Sequence, residues 1–491
     1  MSSPALNTEK GLYEIWELQQ FEHELFTVSG EKVTVYDKGE RFNDLAGPDY
    51  KNAKLKIGNF NLAGDIEIDK DFSNWKTHGH NINSKYNGVI LHICLFNKLN
   101  QSYVYSKEGR KIPTLCLSSY LKNDKIKQLT EETFEKDNGN LVFKCSDYNS
   151  SIAIKIKENI LKEKGLLRYN KKCKRLFERL KELAFIKELQ INEPKISYDL
   201  NENFNKKNFT ADDFNDSIIW QQQIYEMIFE ALGYSQNKNP MMKLAQFVNL
   251  EFLKKFCHEK DFLNIIESTL FNVAGIIPKK LINDEEINNY INEINSYWDN
   301  IKRIYDGEQI NEIEWYFFKL RPQNFPTIRI AGGARLAKMI LDENDFVSKI
   351  LKVFSEVNNP KVLVNILRSM FVIKSEGFWK YHYAFNQPAN SEINFFVGIS
   401  RADEILANVV FPFLSVYFDV FGKKDLSRKV LQIYGMFEQK TENKIVHDVS
   451  KNLGLEFLAK KTLYSQGMIE LFRNYCSKNR CLECEIGKMV F

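Results

Sequence analysis

The sequence predicts an α+β protein, with an N-terminal α/β region that holds a small mixed sheet and a larger, mostly α-helical region after it. Before residue 120, several segments alternate apolar and polar residues as strands do. Residues 88–96 form a nearly unbroken apolar run, which is typical of a central strand buried on both faces. After about residue 125 the apolar residues recur at helical spacing. We therefore divide the chain into residues 1–125 and 126–491, with a soft boundary between residues 125 and 155.

The composition is that of a globular protein without a membrane span. Of the 491 residues, 44% are hydrophobic and 27% are charged, and the net charge is only +4. We expect no secretory signal, because the first residues lack a basic stretch followed by an apolar one, and no membrane span, because no apolar run reaches about 18 residues. Five of the eight cysteines are scattered, which favours reduced thiols and a cytoplasmic location.

The elements follow from the periodicity of the apolar residues. Residues 11–26 predict one amphipathic helix. The segments "KVTVYD", "AKLKI" and "NLAGDIEI" predict strands, and the last two flank Gly58-Asn59, a pair typical of hairpin turns. The later helices are expected at residues 155–189, 216–234, 241–273, 284–306, 330–357, 360–373, 424–438 and 446–461.

A two-residue turn at Gly58-Asn59 fixes the register of the hairpin. It places Ile57 opposite Phe60, Leu55 opposite Leu62, Ala53 opposite Gly64 and Lys51 opposite Ile66, with Asp49 near Ile68. Because side chains alternate along a strand, Asp65, Glu67 and Asp69 share the face opposite the apolar one. A bend at Pro48 would swing Asp49 onto the same acidic side.

The acidic face of this hairpin predicts a metal site. Neighbouring carboxylates repel one another unless a cation or a proton lies between them. Mg²⁺ or Mn²⁺ would be held by Asp49 and Glu67, with Asp65 or Asp69, and would activate water for hydrolysis. The alternative is a solvated polar face that nearby lysines neutralise.

The same residues carry a resemblance to the PD-(D/E)XK nucleases over residues 11–97. Pro48-Asp49 matches the first element of that motif, and Glu67-Ile68-Asp69 matches the second. The resemblance implies a metal-dependent nuclease in which Asp49 and Glu67 hold the ion. Asp69 stands where that family has a lysine, which puts catalysis in doubt. The helix before the hairpin carries two further candidate acids, Glu22 and Glu24.

A wider pattern covers nearly the whole chain. It consists of "LAGPDYKNAKLKIGNFNLAGDIEI", "DFSNWKTHGHNINSKYNGVILHI", "RPQNFPTIRIA" and "CLECEIG". On these segments the chain is identified as a member of the bacterial domain-of-unknown-function family 2851. That resemblance implies relatives but no activity.

Three histidines lie close to the acidic strand in sequence. His78 and His80 form His-x-His, which would put both rings on one face of a strand, although Gly79 and Trp75 favour a turn. Either ring is a candidate general acid or base, or has a structural role in the loop. His92 lies within the apolar run and is predicted to be a core histidine.

Three cysteines crowd the C-terminus: Cys476, Cys481 and Cys484. Cys-x2-Cys is a common half-site for Zn²⁺ or an iron–sulfur cluster. The fourth ligand would be His447, Cys173, Cys257 or a cysteine from the N-terminal region. Reduced cysteines without metal and redox chemistry are the alternatives.

The basic residues suggest contacts with phosphate groups. Residues 155–181 carry eleven Lys or Arg against three Glu. On a helix, Lys171, Lys172 and Arg175 would follow a nucleic-acid backbone, unless the segment is a solvated amphipathic helix. Arg321 and Arg329 flank the proline-rich "RPQNFP" loop and would grip an anion or hold helices together.

Three functional hypotheses remain. The first is a metal-dependent phosphodiesterase acting on DNA or RNA. The second is a non-catalytic nucleic-acid-binding or scaffold protein on a decayed nuclease-like core, which the missing lysine favours. The third is a metal hydrolase that uses His78, His80 and His92 on a small substrate.

Overall fold

The computed structural model describes residues 8–491 apart from a set of short segments. Those segments are residues 20, 22, 42–46, 98–99, 122–142, 144, 191–200, 235, 280–281, 283, 318–319, 343–345, 441–442 and 479. The chain divides into two compact units, Met1–Asn140 with Asn311–Pro326 and Leu141–Ile310 with Thr327–Phe491. Much of the interval in which we placed the boundary lies outside the described residues, so that boundary stays a prediction.

The described part of the first unit contains a mixed β-sheet of eight strands, which confirms the predicted α+β class. In sheet order the strands are β1 (Leu25–Phe26), β2 (Lys32–Asp37), β4 (Tyr50–Ile57), β5 (Phe60–Asp71), β6 (Val89–Phe96), β8 (Lys111–Cys116) and β7 (Tyr103–Tyr105). The short β3 (Glu40–Arg41) also pairs with β4. Strand β5 runs antiparallel to β4 and parallel to β6, and β6 runs parallel to β8.

Helix α1 spans Thr8–Leu18 and is shorter than the sequence predicted. The expectation of one helix over residues 11–26 was wrong beyond Leu18, because Gln19 adopts a left-handed conformation (φ 50°) that ends the helix. Leu25–Phe26 then forms β1. The apolar side of α1, including Leu12 and Trp16, is buried in the core of the sheet.

The β4–β5 hairpin follows the predicted register only near its turn. Ile57 lies opposite Phe60, and Ala53 opposite Gly64, as expected. The register then shifts, so that Tyr50 rather than Lys51 lies opposite Ile66. Asn52 causes this bulge, since it adopts a left-handed conformation with φ 59°. The predicted Lys51–Ile66 pair was therefore wrong.

The two faces of the sheet differ in polarity. Strand β5 sends Ile66 and Ile68 into the apolar core, as the alternation predicted. Glu67 and Asp69 lie on the other face, where Glu67 is opposite His92 of β6. His92 is in turn opposite Thr114 of β8. The alternation of three adjacent strands therefore gathers polar side chains on one face.

The described part of the second unit is mainly helical. Its longer helices are α3 (Ile154–Glu188), α5 (Ser217–Leu232), α6 (Lys238–Phe247), α8 (Phe262–Ala274), α9 (Glu285–Ile301), α10 (Pro326–Asp342), α11 (Phe346–Glu356), α12 (Pro360–Ser369), α14 (Phe411–Val420), α15 (Lys424–Met436), α16 (Lys444–Leu453) and α17 (Thr462–Asn474). The shorter ones are α4 (Asn201–Lys206), α7 (Leu250–Lys254) and α13 (Ile399–Ile405), while α2 (Asn74–Thr77) belongs to the first unit. The strands β9 (Ile373–Lys374), β10 (His382–Ala384), β11 (Gln387–Pro388) and β12 (Phe395–Val397) form two small ribbons.

Several helical predictions needed correction. The helical pattern expected over residues 241–273 is broken into α6, α7 and α8. Helices α10 and α11 cover most of the pattern expected over residues 330–357, and residues 343–345 between them lie outside the described residues. The apolar segment 399–420 was not predicted, although it forms α13, a π-helical turn at Leu406–Val410 and α14. None of the described helices has the length and apolar character needed to cross a membrane.

Helices α3 and α17 approach each other closely through two glycines. A Cβ atom on Gly165 would lie 2.1 Å from the carbonyl oxygen of Leu463, and one on Gly467 would lie 2.0 Å from that of Leu161. Any larger residue at either position would push the two backbones apart. This contact places the C-terminal segment beside α3.

Candidate metal centre

His78 and His80 lie in a tight turn, as Gly79 and Trp75 indicated. Helix α2 ends just before His78, and Gly79 adopts a left-handed conformation with φ 78°. A Cβ atom on Gly79 would lie 3.2 Å from the carbonyl oxygen of Phe317, which belongs to the returning segment 311–326. The turn directs both imidazoles towards the polar face of β5.

Asp69 is the centre of the resulting cluster. Its Oδ1 lies 3.1 Å from His78 Nδ1, and its Oδ2 lies 3.3 Å from His92 Nε2 and 3.9 Å from His80 Nδ1. Glu67 Oε1 lies 3.3 Å from His80 Nδ1. Two carboxylates and three imidazoles thus form one contiguous network.

Most of the network is removed from water, and its central carboxyl group is ionised. Glu67, Asp69, His80 and His92 are each at most 3% exposed, whereas His78 is partly exposed. Burial raises the pKa of Asp69, but the charge of His80 and the hydrogen bonds from His78 and His92 outweigh it, so the pKa lies well below its usual range. Asp69 is therefore a carboxylate at neutral pH.

Neighbouring groups hold the imidazoles in place. His80 stacks on Tyr86 with ring centroids 4.2 Å apart, and Trp75 meets His80 edge-on. His92 Nδ1 lies 3.3 Å from Thr114 Oγ1, which fixes the ring that contacts Asp69. Contacts of this kind orient the ligands of metal sites in proteins.

Asp49 reaches the edge of this network by way of the Asn52 bulge. Its backbone N–H donates to Glu67 Oε2 at 3.1 Å. Its carboxylate accepts hydrogen bonds from the Tyr13 hydroxyl at 2.9 Å and from the Ile68 N–H at 2.8 Å. The bulge therefore gives Asp49 the position on the acidic side that we had attributed to a bend at Pro48.

The remaining predicted acids lie apart from Asp69. Asp65 Oδ1 accepts from the Asn52 N–H at 3.3 Å, so this carboxylate supports the bulge. Glu24 is exposed and pairs with Lys32. Glu22, the other acid proposed before the hairpin, lies outside the described residues.

Asp69, His78 and His80 fit a metal ion best. Within the described part of the chain, this is the group whose potential ligand atoms all lie within 4.8 Å of one another. A set of two imidazoles and one carboxylate suits Zn²⁺, Fe²⁺ or Mn²⁺ better than Mg²⁺, which prefers oxygen ligands. The predicted pair Asp49 and Glu67 borders this group, and its role as metal ligands stays a prediction.

Sequence reasoning missed the supporting residues. Tyr13 lies on the amphipathic α1, and its contact with Asp49 had no separate signal in the sequence. The register of β6 and β8 places Thr114 opposite His92, and the sequence alone did not indicate this pairing. Trp75 was noted for its effect on the turn, not for its contact with the imidazoles.

The basic helix α3 lies in the second unit, and its cations have many partners. Lys171 pairs with Glu470, and Arg175 forms two hydrogen bonds with Glu230. Lys172 donates to the amide oxygens of Asn408 and Gln466 at 2.6 and 2.8 Å.

Positive charge nevertheless accumulates around Lys172. Burial, and then the nearby cations Arg168 and Lys238, hold the pKa of Lys172 well below its usual range. Burial and then the charge of Arg473 lower the pKa of Arg168 in the same way. We call the basic residues Arg168, Lys171, Lys172, Arg175, Lys238 and Arg473 the cationic cluster.

The two arginines near the "RPQNFP" loop have different surroundings. Arg321 is exposed, in the first unit. Arg329 is only 7% exposed, and its guanidinium donates to the carbonyl oxygen of Phe396. Burial lowers the pKa of Arg329 to about 10. This placement favours the alternative we gave for Arg329, in which it holds helices together.

Comparison with known proteins identifies the family. Residues 9–211 and 200–443 match the family described as Protein of unknown function (DUF2851). No curated protein and no solved structure matched the chain. The similarity to PD-(D/E)XK nucleases thus stays a prediction. Because the two matches together cover most of the sequence, the chain belongs to the DUF2851 family of proteins of unknown function.

Proposed function

We propose that this protein is a divalent-metal-dependent phosphodiesterase acting on nucleic acid. The observation that carries the proposal is the group of Asp69, His78 and His80, whose potential ligand atoms lie within 4.8 Å of one another. A metal ion bound there would supply Lewis-acid chemistry and an activated water molecule.

The protein's own residues would prepare this site for the reaction. Asp69 is ionised and buried, so its negative charge offsets that of a cation in a medium of low dielectric constant. Glu67 contacts His80, and His92 contacts Asp69, so each would orient a ligand. His78 is the most exposed of the three, which makes its side the one from which water and substrate would approach.

Two observations favour a phosphodiester substrate. The backbone N–H of Asp49 donates to the Glu67 carboxylate at the edge of the site, so the two acids of the nuclease-like motif lie side by side. In the second unit, the cationic cluster carries six basic side chains, whose acidic partners include Glu230 and Glu470. Basic side chains grouped in this way favour binding to phosphate groups.

The second candidate function is a non-catalytic scaffold. Both carboxylate oxygens of Asp49 accept hydrogen bonds from the protein, and Asp69 stands in place of the lysine of the motif. The Asp69 network would then be a buried structural network whose charges compensate one another. This candidate predicts no metal affinity at the site.

The deciding experiment compares Asp69→Asn with Asp71→Asn. Asp71 lies on the same strand, two residues further on, outside the group of three ligands. We expect calorimetry to show about one Mn²⁺ or Zn²⁺ bound per chain at this site, with affinity lowered about 100-fold or more by Asp69→Asn. Asp71→Asn should bind as the wild type does.

The same proteins are then assayed for cleavage of labelled single- and double-stranded DNA and RNA with Mn²⁺. Metal-dependent cleavage that is lost in Asp69→Asn and kept in Asp71→Asn supports the enzyme. Metal binding without cleavage of any of the four substrates would remove the phosphodiesterase proposal. Absence of metal binding at Asp69 in the folded wild-type protein would leave the scaffold.

A further inference from the structure

Four cysteines come together at the C-terminal end of the second unit. Cys476 and Cys481 lie in two 3₁₀ turns after α17, and Cys484 follows the second. Cys145, more than 300 residues earlier, packs with Cys476 and Cys484 against the same apolar cluster. Cys481 lies beside them, because the Cys484 N–H donates to the Cys481 carbonyl oxygen at 3.1 Å.

The backbone around Cys484 is shaped to hold a thiolate. The N–H groups of Ile486 and Gly487 donate to the Cys484 sulfur, and its own N–H donates to the carbonyl oxygen of Cys481 at 3.1 Å. A Cβ atom on Gly487 would lie 1.9 Å from that same oxygen, so glycine permits the tight turn. Backbone N–H groups that point at a sulfur stabilise its anionic form.

The segments that carry the four cysteines are fixed to the helical core. The Phe143 N–H, two residues before Cys145, donates to Asn452 Oδ1 of α16 at 2.9 Å. Lys164 of α3 pairs with Glu485 and donates to the Tyr475 hydroxyl at 3.3 Å. The close contact of α3 with α17 holds the following turns in place. The cysteines are therefore placed by the fold, and not by a flexible tail.

All four cysteines are free, without a disulfide, so each has a thiol that can bind a metal. Each thiol would lose its proton to the solvent when its sulfur binds the metal.

We propose that Cys145, Cys476, Cys481 and Cys484 form a four-cysteine site for a thiophilic metal centre, either an iron–sulfur cluster or a single Zn²⁺. Cys145 is the fourth ligand that the sequence did not reveal, and it was not among the candidates we named. The centre would join the segment after residue 143 to the C-terminal turns. This proposal does not depend on the function proposed for the first unit.

The spacing of the sulfurs bears on the identity of the metal. Among the described residues, no three of these thiols have their sulfurs within 4.8 Å of one another. A single Zn²⁺, with Zn–S bonds of about 2.3 Å, requires sulfurs about 4 Å apart. A cluster with an inorganic iron–sulfur core holds its cysteines further apart. The two centres therefore require different spacings of the four sulfurs, and the metal content of the purified chain distinguishes them.

The test uses the full-length chain, purified without oxygen, with Cys145→Ser and Cys257→Ser compared to the wild type. Cys257 is partly exposed and lies outside the cluster, so Cys257→Ser is the matched control. Iron, acid-labile sulfide and zinc are measured per chain, and the visible absorption spectrum is recorded before and after dithionite. We expect about one zinc ion, or about four irons with matching sulfide, in the wild type and the control.

Cys145→Ser should lose at least half of this metal while keeping the helical circular dichroism of the wild type. If this variant does not fold, Co²⁺ titration of the metal-free wild type replaces it, and the intensity of the thiolate-to-cobalt charge-transfer band counts the bound sulfurs. Four thiolates support the site. Two or three thiolates, wild-type metal content in Cys145→Ser, or a wild type without stoichiometric metal even after reconstitution would overturn it.

Discussion

At the scale of single residues, Cys94 and Cys116 form a thiol pair with unequal acidity. They lie opposite one another on β6 and β8 and share a hydrogen bond. The bond from Cys94, opposed by burial and aided by Ser118, lowers the pKa of Cys116 to about 6, whereas the pKa of Cys94 is raised. Cys116 also lines a cavity of about 430 Å³. We therefore expect its alkylation rate to rise with pH through about 6 and then level off.

Peptide mass spectrometry after short pulses of iodoacetamide measures this rate at each pH. The Cys94→Ala variant removes the hydrogen bond to the thiolate, so the midpoint should move up by about one pH unit. Cys257 is a free cysteine outside this pair, and its alkylation in the same samples provides an internal reference for the reaction. A Cys116 midpoint at the usual thiol pKa in the wild type would contradict the prediction.

The residues of the metal centre show how far single positions can be predicted from sequence. The acids were singled out because they cluster on one face of the hairpin, and His78 and His80 because they follow that acidic strand closely in sequence. The sequence did not indicate that Asp69, His78 and His80 form one group. It depends on where the turn at Gly79 directs two imidazoles relative to β5, and this turn lies close to Phe317 of the returning segment.

At the scale of elements, the Asn52 bulge shifts the register of β4 against β5, the strand that carries Asp69 of the candidate metal centre. Its left-handed backbone costs a β-branched residue about 1–2 kcal/mol more than it costs glycine. We expect Asn52→Val to lower the free energy of unfolding by this amount, and Asn52→Gly to change it little. Urea denaturation followed by circular dichroism measures both. Lys54→Val, at an exposed position of the same strand, should be close to neutral.

Equal stability of Asn52→Val and Lys54→Val would show that the bulge is not the constraint we describe. The bulge also marks the limit of sequence reasoning for this hairpin. The alternation of apolar residues and the Gly58-Asn59 turn were enough to predict the pairs from Ile57–Phe60 to Ala53–Gly64. One residue with positive φ then shifted every later pair, and alternation does not encode the φ of a single asparagine.

At the scale of the whole molecule, the sequence predicted that a region with strands precedes a mostly helical region. It did not predict which segments distant in sequence come together. Strand-like and helix-like periodicities are local, so the α+β class followed from them directly. The return of Asn311–Pro326 to the first unit depends on contacts between residues far apart in sequence. The same reason explains why Cys145 was not recognised as a neighbour of the C-terminal cysteines.

The return of Asn311–Pro326 to the first unit suggests that a substitution in this segment affects the distant histidines His78 and His80. Phe325 is fully buried, and its ring would lie 3.5 Å from a Cβ atom on Gly79, between the two histidines of the metal centre. Phe325→Leu should cost less than about 1.5 kcal/mol of stability but leave the His78–His80 turn less firmly held. We expect it to weaken Mn²⁺ or Zn²⁺ binding about tenfold, as loss of an outer-shell contact does.

Ile313→Ala serves as the control, because Ile313 lies in the same returning segment and is 56% exposed. Calorimetric titration of both folded variants with the same metal compares them directly. Equal affinities would mean that the returning segment only covers the turn. Weaker binding in Phe325→Leu alone would show that residues about 245 positions away hold the histidines in their ligating geometry. The integrity of the metal centre would then require the chain beyond the N-terminal 140 residues.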